Sequence, residues 1–198
     1  MAFTFGGGAE RLNARRQLIV SEANAIGTAY LRIDLLPASE QPPLRELFRK
    51  YVDGRLATYR MLPDIRAAEA ELGRSAKLQG EIWSRGVAGC GGTVPCATLL
   101  LPALNEMIDI VTTRTVAART HTPTLIYGLL SLLALGCSLI GGYGMAGSKT
   151  KGRLYVLGFT MITVLTVYVI LDIEFPRRGL IRLDEWDRLL VDVRESMK

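Results

Sequence analysis

The chain has 198 residues and a net charge of +5, with 49% hydrophobic and 22% charged residues and a mean hydropathy of +0.23. This combination predicts that apolar and charged residues are segregated along the chain, which is unusual for a soluble domain. Because no lysine–arginine run with interleaved aromatic residues is present, and basic residues flank apolar stretches instead, the composition favours a membrane and argues against nucleic acid.

The first predicted helix covers residues 9–36 and stops at Pro37. Arg15 and Glu22 fall on its apolar stripe. Because buried charges must be paired, we interpret the two as a salt bridge that fixes the helix register, ahead of the alternative that they form an ion path or gate.

Three further helices are predicted before residue 120. The second opens at Pro42, the third follows Pro63 with Asp64 as its N-cap, and the fourth covers residues 97–120. No alternating strand pattern of useful length is present. The predicted fold class is therefore all-α, and residues 1–119 are predicted to form a helical region outside the membrane.

Two polar groups in this region are candidates for binding. Asn24, Thr28 and Arg32 lie four residues apart on the first helix, on a face that is either solvated or open to a lipid headgroup, an anion or a neighbouring subunit. Asn105 and Asp109 share a face of the fourth helix, from which they can reach the first helix. This helix supplies too few ligands for a metal site, and none is predicted.

The three cysteines are Cys90, Cys96 and Cys137. Cys137 lies in an apolar stretch and is interpreted as a packing residue. The other two flank a five-residue segment without Cys-x-x-Cys spacing or a nearby histidine, so reduced thiols are favoured over a metal site or a disulfide.

A membrane hairpin is predicted over residues 120–175. Two apolar runs, at about residues 123–147 and 154–175, meet the length of roughly 17–25 residues that a helix needs to cross the hydrocarbon core. A short basic linker, residues 148–153, makes the two helices antiparallel neighbours. The alternative, a helix pair buried in a soluble core, is disfavoured because so small a chain cannot cover both helices on all sides.

The sidedness of this hairpin is predicted from basic residues. The linker carries three of them, Lys149, Lys151 and Arg153, at high density, which opposes a cytoplasmic placement of the arms. Six lie near the outer ends and favour a cytoplasmic location for both arms: Arg114, Arg119, Arg177, Arg178, Arg182 and Arg188. By this count, the chain is a multi-pass protein of the cell (inner) membrane, with most of residues 8–119 and the C-terminus in the cytoplasm.

Residues 176–198 are predicted to contain a short amphipathic helix with Trp186 and Leu190 on its apolar face. This helix either lies on the membrane surface or packs on the cytoplasmic helices.

The stretch EANAIGTAYLRIDLLP, residues 22–37, resembles the bestrophin-like family of mainly bacterial membrane proteins, a domain of unknown function. Three further stretches fit this family: LNEMID at 104–109 followed by Arg114, His121-x-Pro123, and DIEFPRRG at 172–179. The resemblance covers nearly the whole chain. Bestrophins, to which the family is distantly similar, are pentameric anion channels, so the resemblance implies a homo-oligomer that binds or passes anions.

The chain departs from the family at its start, where members carry one or two more transmembrane helices. Residues 1–8 are therefore expected to be the tail of a truncated transmembrane helix. The acidic calcium site of animal bestrophins is not recognisable, and no calcium regulation or cofactor is expected.

The leading functional hypothesis is an oligomeric anion channel subunit, and the alternative is a non-conducting membrane scaffold whose cytoplasmic helices bind a protein partner. The sequence shows no serine or cysteine nucleophile paired with a base, so an enzyme is not predicted. The expected partners are the lipid bilayer, further copies of the chain and anions. A separate set of residues is assigned to the membrane interface, where anchoring explains them: His121, Asp172, Glu174, Arg177 and Arg178.

Overall fold

The computed structural model describes residues 2–61, 64–145, 152–176, 179–181 and 183–197. Over these residues the chain is helical and contains no strand, which confirms the predicted all-α class. A short 3-10 helix, Arg32–Leu35, follows the first α-helix. The α-helices are α1 Ala2–Leu31, α2 Gln41–Met61, α3 Ile65–Cys90, α4 Val94–Arg119, α5 Thr124–Met145, α6 Gly152–Glu174 and α7 Asp184–Ser196.

These elements form two compact units. The hairpin unit contains Met1–Asn13 and Thr120–Ile181, and therefore includes α5, α6 and the start of α1. The bundle unit contains Ala14–Arg119 and Arg182–Lys198, and therefore includes the rest of α1 together with α2, α3, α4 and α7.

The core of the bundle unit follows the helical period of the sequence. On α2 the fully buried side chains recur at intervals of three and four residues, from Leu44 through Phe48 and Tyr51. The corresponding stripe of α4 includes Leu100, Leu104 and Met107, all of which are fully buried. Leu47, Tyr59 and other half-buried residues pack against this core.

Helix α3 begins and ends with recognisable caps. The Asp64 carboxylate accepts a hydrogen bond from the Ala67 amide at 3.1 Å, as predicted for an N-cap. At the other end, Gly91 and Gly92 have φ angles of 52° and 77°, a left-handed conformation that glycine adopts without strain. The chain reverses there within three residues and enters α4.

This reversal corrects the prediction for two of the cysteines. Cys90 is the last residue of α3 and Cys96 lies in the first turn of α4, with their Cα atoms 5.4 Å apart and a disulfide between them. The sequence favoured reduced thiols because it shows no spacing motif. The tight turn brings the two helix ends together in a way that the spacing alone does not show. Cys137 is a free cysteine and is exposed.

Helix α7 packs on the bundle. Its Leu190 side chain is completely buried in the core, and Met197 beyond its end is also buried there. The Arg194 guanidinium donates two hydrogen bonds to the Asp53 carboxylate on α2, at 2.8 and 3.0 Å. Of the two placements predicted for the tail helix, packing against other helices is the one observed.

In the hairpin unit, large apolar side chains are exposed along the helices. Examples on α5 and α6 are Leu125, Ile140, Leu154 and Met161. In the described part of the chain, two helices are long and apolar enough to cross a membrane, one within Val94–Gly144 and one at Leu154–Glu174. Their observed ends, at Thr124–Met145 and Gly152–Glu174, lie close to the predicted spans.

Candidate functional site: two buried carboxylates

The bundle unit contains a buried cluster centred on Glu22. The Glu22 carboxylate on α1 accepts a hydrogen bond from Arg55 Nε on α2 at 2.7 Å and one from the Tyr59 hydroxyl at 2.9 Å. Arg114 Nη1 on α4 also donates to this carboxylate. The Glu22 side chain is 0% exposed and that of Arg55 is 2% exposed, so water does not compete for these bonds. We call these four residues the Glu22 cluster.

The helices place these groups by simple spacing. Arg55 and Tyr59 are one turn apart on α2, so both side chains reach the same point of the interior. Arg55 Nη2 donates a hydrogen bond to the Tyr59 hydroxyl, and this hydroxyl in turn donates one to the Glu22 carboxylate. The Arg114 guanidinium carbon lies 4.2 Å from the centroid of the Tyr59 ring, in cation–π contact.

The electrostatics of the cluster favour the ionised form of the Glu22 carboxyl. Burial alone would raise the pKa of the Glu22 carboxyl, but the charges of Arg114 and Arg55 outweigh the lost hydration and hold this pKa below its ordinary value. Burial raises the pKa of the Tyr59 hydroxyl, and the neighbouring Glu22 charge raises it further. Glu22 is therefore ionised at neutral pH, and Tyr59 is a neutral donor.

Further polar groups surround the cluster. Asp187 of α7 lies 3.9 Å from Arg114 Nη2, so the two arginines face two carboxylates. Gln79 on α3 donates to the Tyr51 hydroxyl at 3.2 Å. Within the described residues, Arg55 Nη1 is buried without a hydrogen-bond partner.

The predicted binding residues of the bundle do not gather in one place. The predicted Arg15–Glu22 salt bridge is wrong. Arg114 joins Glu22 instead, whereas Arg15 donates its Nε–H to the carbonyl of Ala117 at 3.2 Å. Asn24 is exposed. Thr28 is half-buried, and Arg32 donates to the carbonyl of Leu99 at 2.6 Å.

The Asn105 amide donates to the Asp109 carboxylate at 2.8 Å, and both side chains are exposed on α4. Sequence reasoning missed Arg55 and Tyr59. A signal for Arg55 was present, since it interrupts the buried stripe between Val52 and Leu56.

A second buried carboxylate, Glu174, lies in the hairpin unit. Its oxygens accept hydrogen bonds from Arg11 Nη2 at 2.6 Å, from the Thr122 backbone N–H at 2.9 Å and from the Thr122 hydroxyl at 3.3 Å. His121 Nδ1 lies 3.4 Å away. The end of α6 is thus connected to the residues that open α5 and to the first part of α1.

Asp172, two residues before Glu174, stabilises the chain that leaves α6. Its carboxylate accepts hydrogen bonds from the backbone N–H groups of Leu180 and Ile181, both at 2.9 Å. Gly179 lies directly against this carboxylate, where a Cβ atom would collide with it. Arg177 and Arg178, which were assigned to the membrane interface, lie outside the described residues.

Comparison with known proteins found no relative of this chain. No family model, no curated protein and no solved structure matches the chain. The bestrophin-like resemblance therefore stays a prediction. In the described part of the chain, no three His, Cys, Asp or Glu side chains are grouped closely enough to hold a metal ion.

Proposed function

We propose that the chain is an integral membrane protein in which α5 and α6 form a transmembrane hairpin. The observation that carries the proposal is the exposure of their apolar side chains: Leu125 is 83% exposed and Met161 is 75% exposed. Leaving one such side chain in water rather than burying it costs about 1.5–3 kcal/mol. Because more than a dozen large apolar side chains of α5 and α6 are exposed, a bilayer would stabilise these helices by tens of kcal/mol.

We further propose that this membrane protein is a subunit of an anion-conducting homo-oligomer. Support comes from the bestrophin-like sequence stretches and from the net charge of +5, which favours anions near the protein. In this proposal the bundle unit serves as the rigid extramembrane part of each subunit. The ion path would be formed by several copies, since one chain does not bring its predicted polar residues together.

A non-conducting scaffold is the second candidate, and the Glu22 cluster favours it. The cluster is closed to solvent and its carboxylate is already bound by two guanidinium groups, as expected for a structural element. A scaffold also needs an exposed apolar surface for a partner. Trp83 and Val87, one turn apart on α3, are exposed apolar residues of this kind.

Two experiments test these proposals in order. Alkaline carbonate extraction of membranes comes first, and recovery of the chain in the pellet is the expected result. Release into the supernatant would contradict the membrane proposal. Chloride efflux from proteoliposomes that contain the purified, correctly assembled oligomer comes second. Efflux above that of empty liposomes supports a channel, whereas no efflux leaves the scaffold.

The two orientations of the hairpin differ in which side of the membrane carries the linker. The count of basic residues, six near the outer ends against three in the linker, favours cytoplasmic arms. The density of charge in the linker, three basic residues within six positions, favours the reverse orientation.

A further inference from the structure

The turn between α3 and α4 is closed by a disulfide within the bundle core. Cys90 is 4% exposed and Cys96 is 2% exposed, and both belong to the same core cluster as Leu100 and Leu36. The Leu36 side chain fills the space beside Gly89, where an added Cβ would lie 3.0 Å from it. Both cysteines therefore lie in the packed core, although residues 91–95 of the turn between them are exposed.

The chemistry of such a pair is thiol oxidation. No third metal-ligating group accompanies the two cysteines among the described residues, so a metal site does not account for their proximity. Formation of the bond removes one proton and one electron from each thiol and joins the two Sγ atoms. The two electrons reduce the disulfide of an oxidant of the protein thiol–disulfide exchange class to two thiols.

Disulfides of this kind persist in oxidising compartments and are rare in the cytosol, where thiols are kept reduced. We propose that Cys90 and Cys96 form a structural disulfide and that the bundle unit lies on the oxidising, extracytoplasmic side of the membrane. This inference rests on the proposed transmembrane hairpin, because only a hairpin leaves residues 119 and 176 on the same side. It reverses the orientation that the simple count of basic residues favours.

The density of basic residues in the linker supports the same orientation. The linker, residues 148–153, contains three basic residues and no acidic one, and a bundle outside the cell leaves this short basic segment in the cytoplasm.

Thiol counting in cells tests the disulfide. Cells that produce the full chain are quenched in acid, and the denatured protein is alkylated with N-ethylmaleimide without reduction and weighed by mass spectrometry. We expect one added group per chain, on Cys137, rising to three after reduction. The Cys90→Ser/Cys96→Ser double variant should carry one group under both conditions. Three groups on the unreduced wild-type chain would overturn the proposal.

Reporter fusions test the orientation on the same chain. Alkaline phosphatase fused after Lys198 should be active, and green fluorescent protein at the same position should be dark, because phosphatase requires an oxidising compartment to fold. An inactive phosphatase fusion together with a fluorescent green fluorescent protein fusion would overturn the extracytoplasmic placement. Carbonate extraction of each fusion distinguishes failure of the proposed hairpin from failure of the proposed orientation. Release from the membrane contradicts the hairpin. A pelleted chain with a cytoplasmic C-terminus contradicts only this inference.

Discussion

Arg55 on α2 and Glu22 on α1 form an ion pair at 2.7 Å in which neither side chain is more than 2% exposed. The same carboxylate is bound by Arg114, so that a single acid connects α1, α2 and α4. Two charges removed from water are tolerated only when their geometry and hydrogen bonds compensate for lost hydration. Glu22 meets this condition, because both of its oxygens accept bonds from buried or half-buried donors.

Replacement of Glu22 by glutamine should strongly destabilise the bundle unit. The Glu22→Gln variant leaves the buried Arg55 guanidinium without a counter-charge and leaves Arg114 with only Asp187, at 3.9 Å. Breaking a buried pair in this way costs about 3–5 kcal/mol. Both tryptophans of the chain, Trp83 and Trp186, lie in the bundle unit, so intrinsic fluorescence during urea unfolding measures this loss.

The matched control is Glu81→Gln, an exposed carboxylate on α3, which should shift the free energy of unfolding by less than about 0.5 kcal/mol. Equal effects of the two substitutions would show that Glu22 is not a structural ion pair.

The low pKa of Glu22 predicts acid sensitivity of the bundle. Its folded-state pKa lies below the ordinary value of about 4.3, so the unfolded chain binds this proton more tightly than the folded one. The resulting stability is fully present above about pH 5 and is lost as the pH falls through the folded pKa. In urea titrations, the difference between wild type and Glu22→Gln should therefore be largest at pH 7 and shrink in strong acid. A difference that stays constant down to pH 3 would contradict a titrating, ion-paired Glu22.

The sequence predicted much of the fold, because composition and helical period determine it. The uncharged runs predicted the ends of α5 and α6 to within a few residues, and Pro42 and Asp64 marked real boundaries. The first helix was predicted over residues 9–36, whereas α1 is Ala2–Leu31 and is followed by the 3-10 helix Arg32–Leu35. Glu22 was identified because a charge on an apolar stripe demands a partner. The predicted partner, Arg15, was wrong: the charge is bound by Arg55, which is 33 residues away and is brought close only by the packing of α1 on α2.

The disulfide between Cys90 and Cys96 likewise could not be predicted from local sequence. Cys90 and Cys96 are separated by six positions, and nothing in their spacing shows that one helix ends and the next begins between them. The left-handed glycines at 91 and 92 create the reversal that brings the thiols together. Local pattern thus located the helices, whereas contacts between helices determined the candidate sites.

Helix α7 should depend on its apolar anchor more than on its ion pair. Leu190 is completely buried, and Leu190→Ala should cost about 2–5 kcal/mol through lost burial and the cavity that remains. Arg194 and Asp53 are partly exposed, so Arg194→Ala should cost less than about 1 kcal/mol. Trp186 on α7 stacks with Arg16, and its emission should shift to longer wavelength at lower urea in the leucine variant. Larger destabilisation by Arg194→Ala would contradict this ranking.

Loss of the disulfide should destabilise the bundle by a moderate amount. The Cys90–Cys96 bond closes a loop of only about six residues, for which the loss of chain entropy in the unfolded state gives about 2 kcal/mol. Urea unfolding of the Cys90→Ser/Cys96→Ser variant should show this loss, and reductant should cause the same loss in wild type without affecting the double variant. Cys137→Ser, in the hairpin unit, serves as the control and should leave bundle stability unchanged.

Removal of the Glu174 carboxylate should release the start of α5. This carboxylate binds the Thr122 backbone N–H at 2.9 Å, and Arg11 holds the carboxylate from the other side. A hydrogen bond to a charged group contributes about 1.5–3 kcal/mol. Glu174→Ala should therefore raise the hydrogen–deuterium exchange rate of the Thr122 amide roughly 10- to 100-fold, as each 1.4 kcal/mol corresponds to a factor of ten.

The exchange measurement is made by mass spectrometry on the chain in lipid nanodiscs. Glu10→Ala, which removes an exposed carboxylate one position from Arg11, provides the control and should leave this rate unchanged. Unaltered exchange at Thr122 in the Glu174→Ala variant would contradict this prediction, because the hydrogen bonds to Glu174 would then contribute no protection at the start of α5.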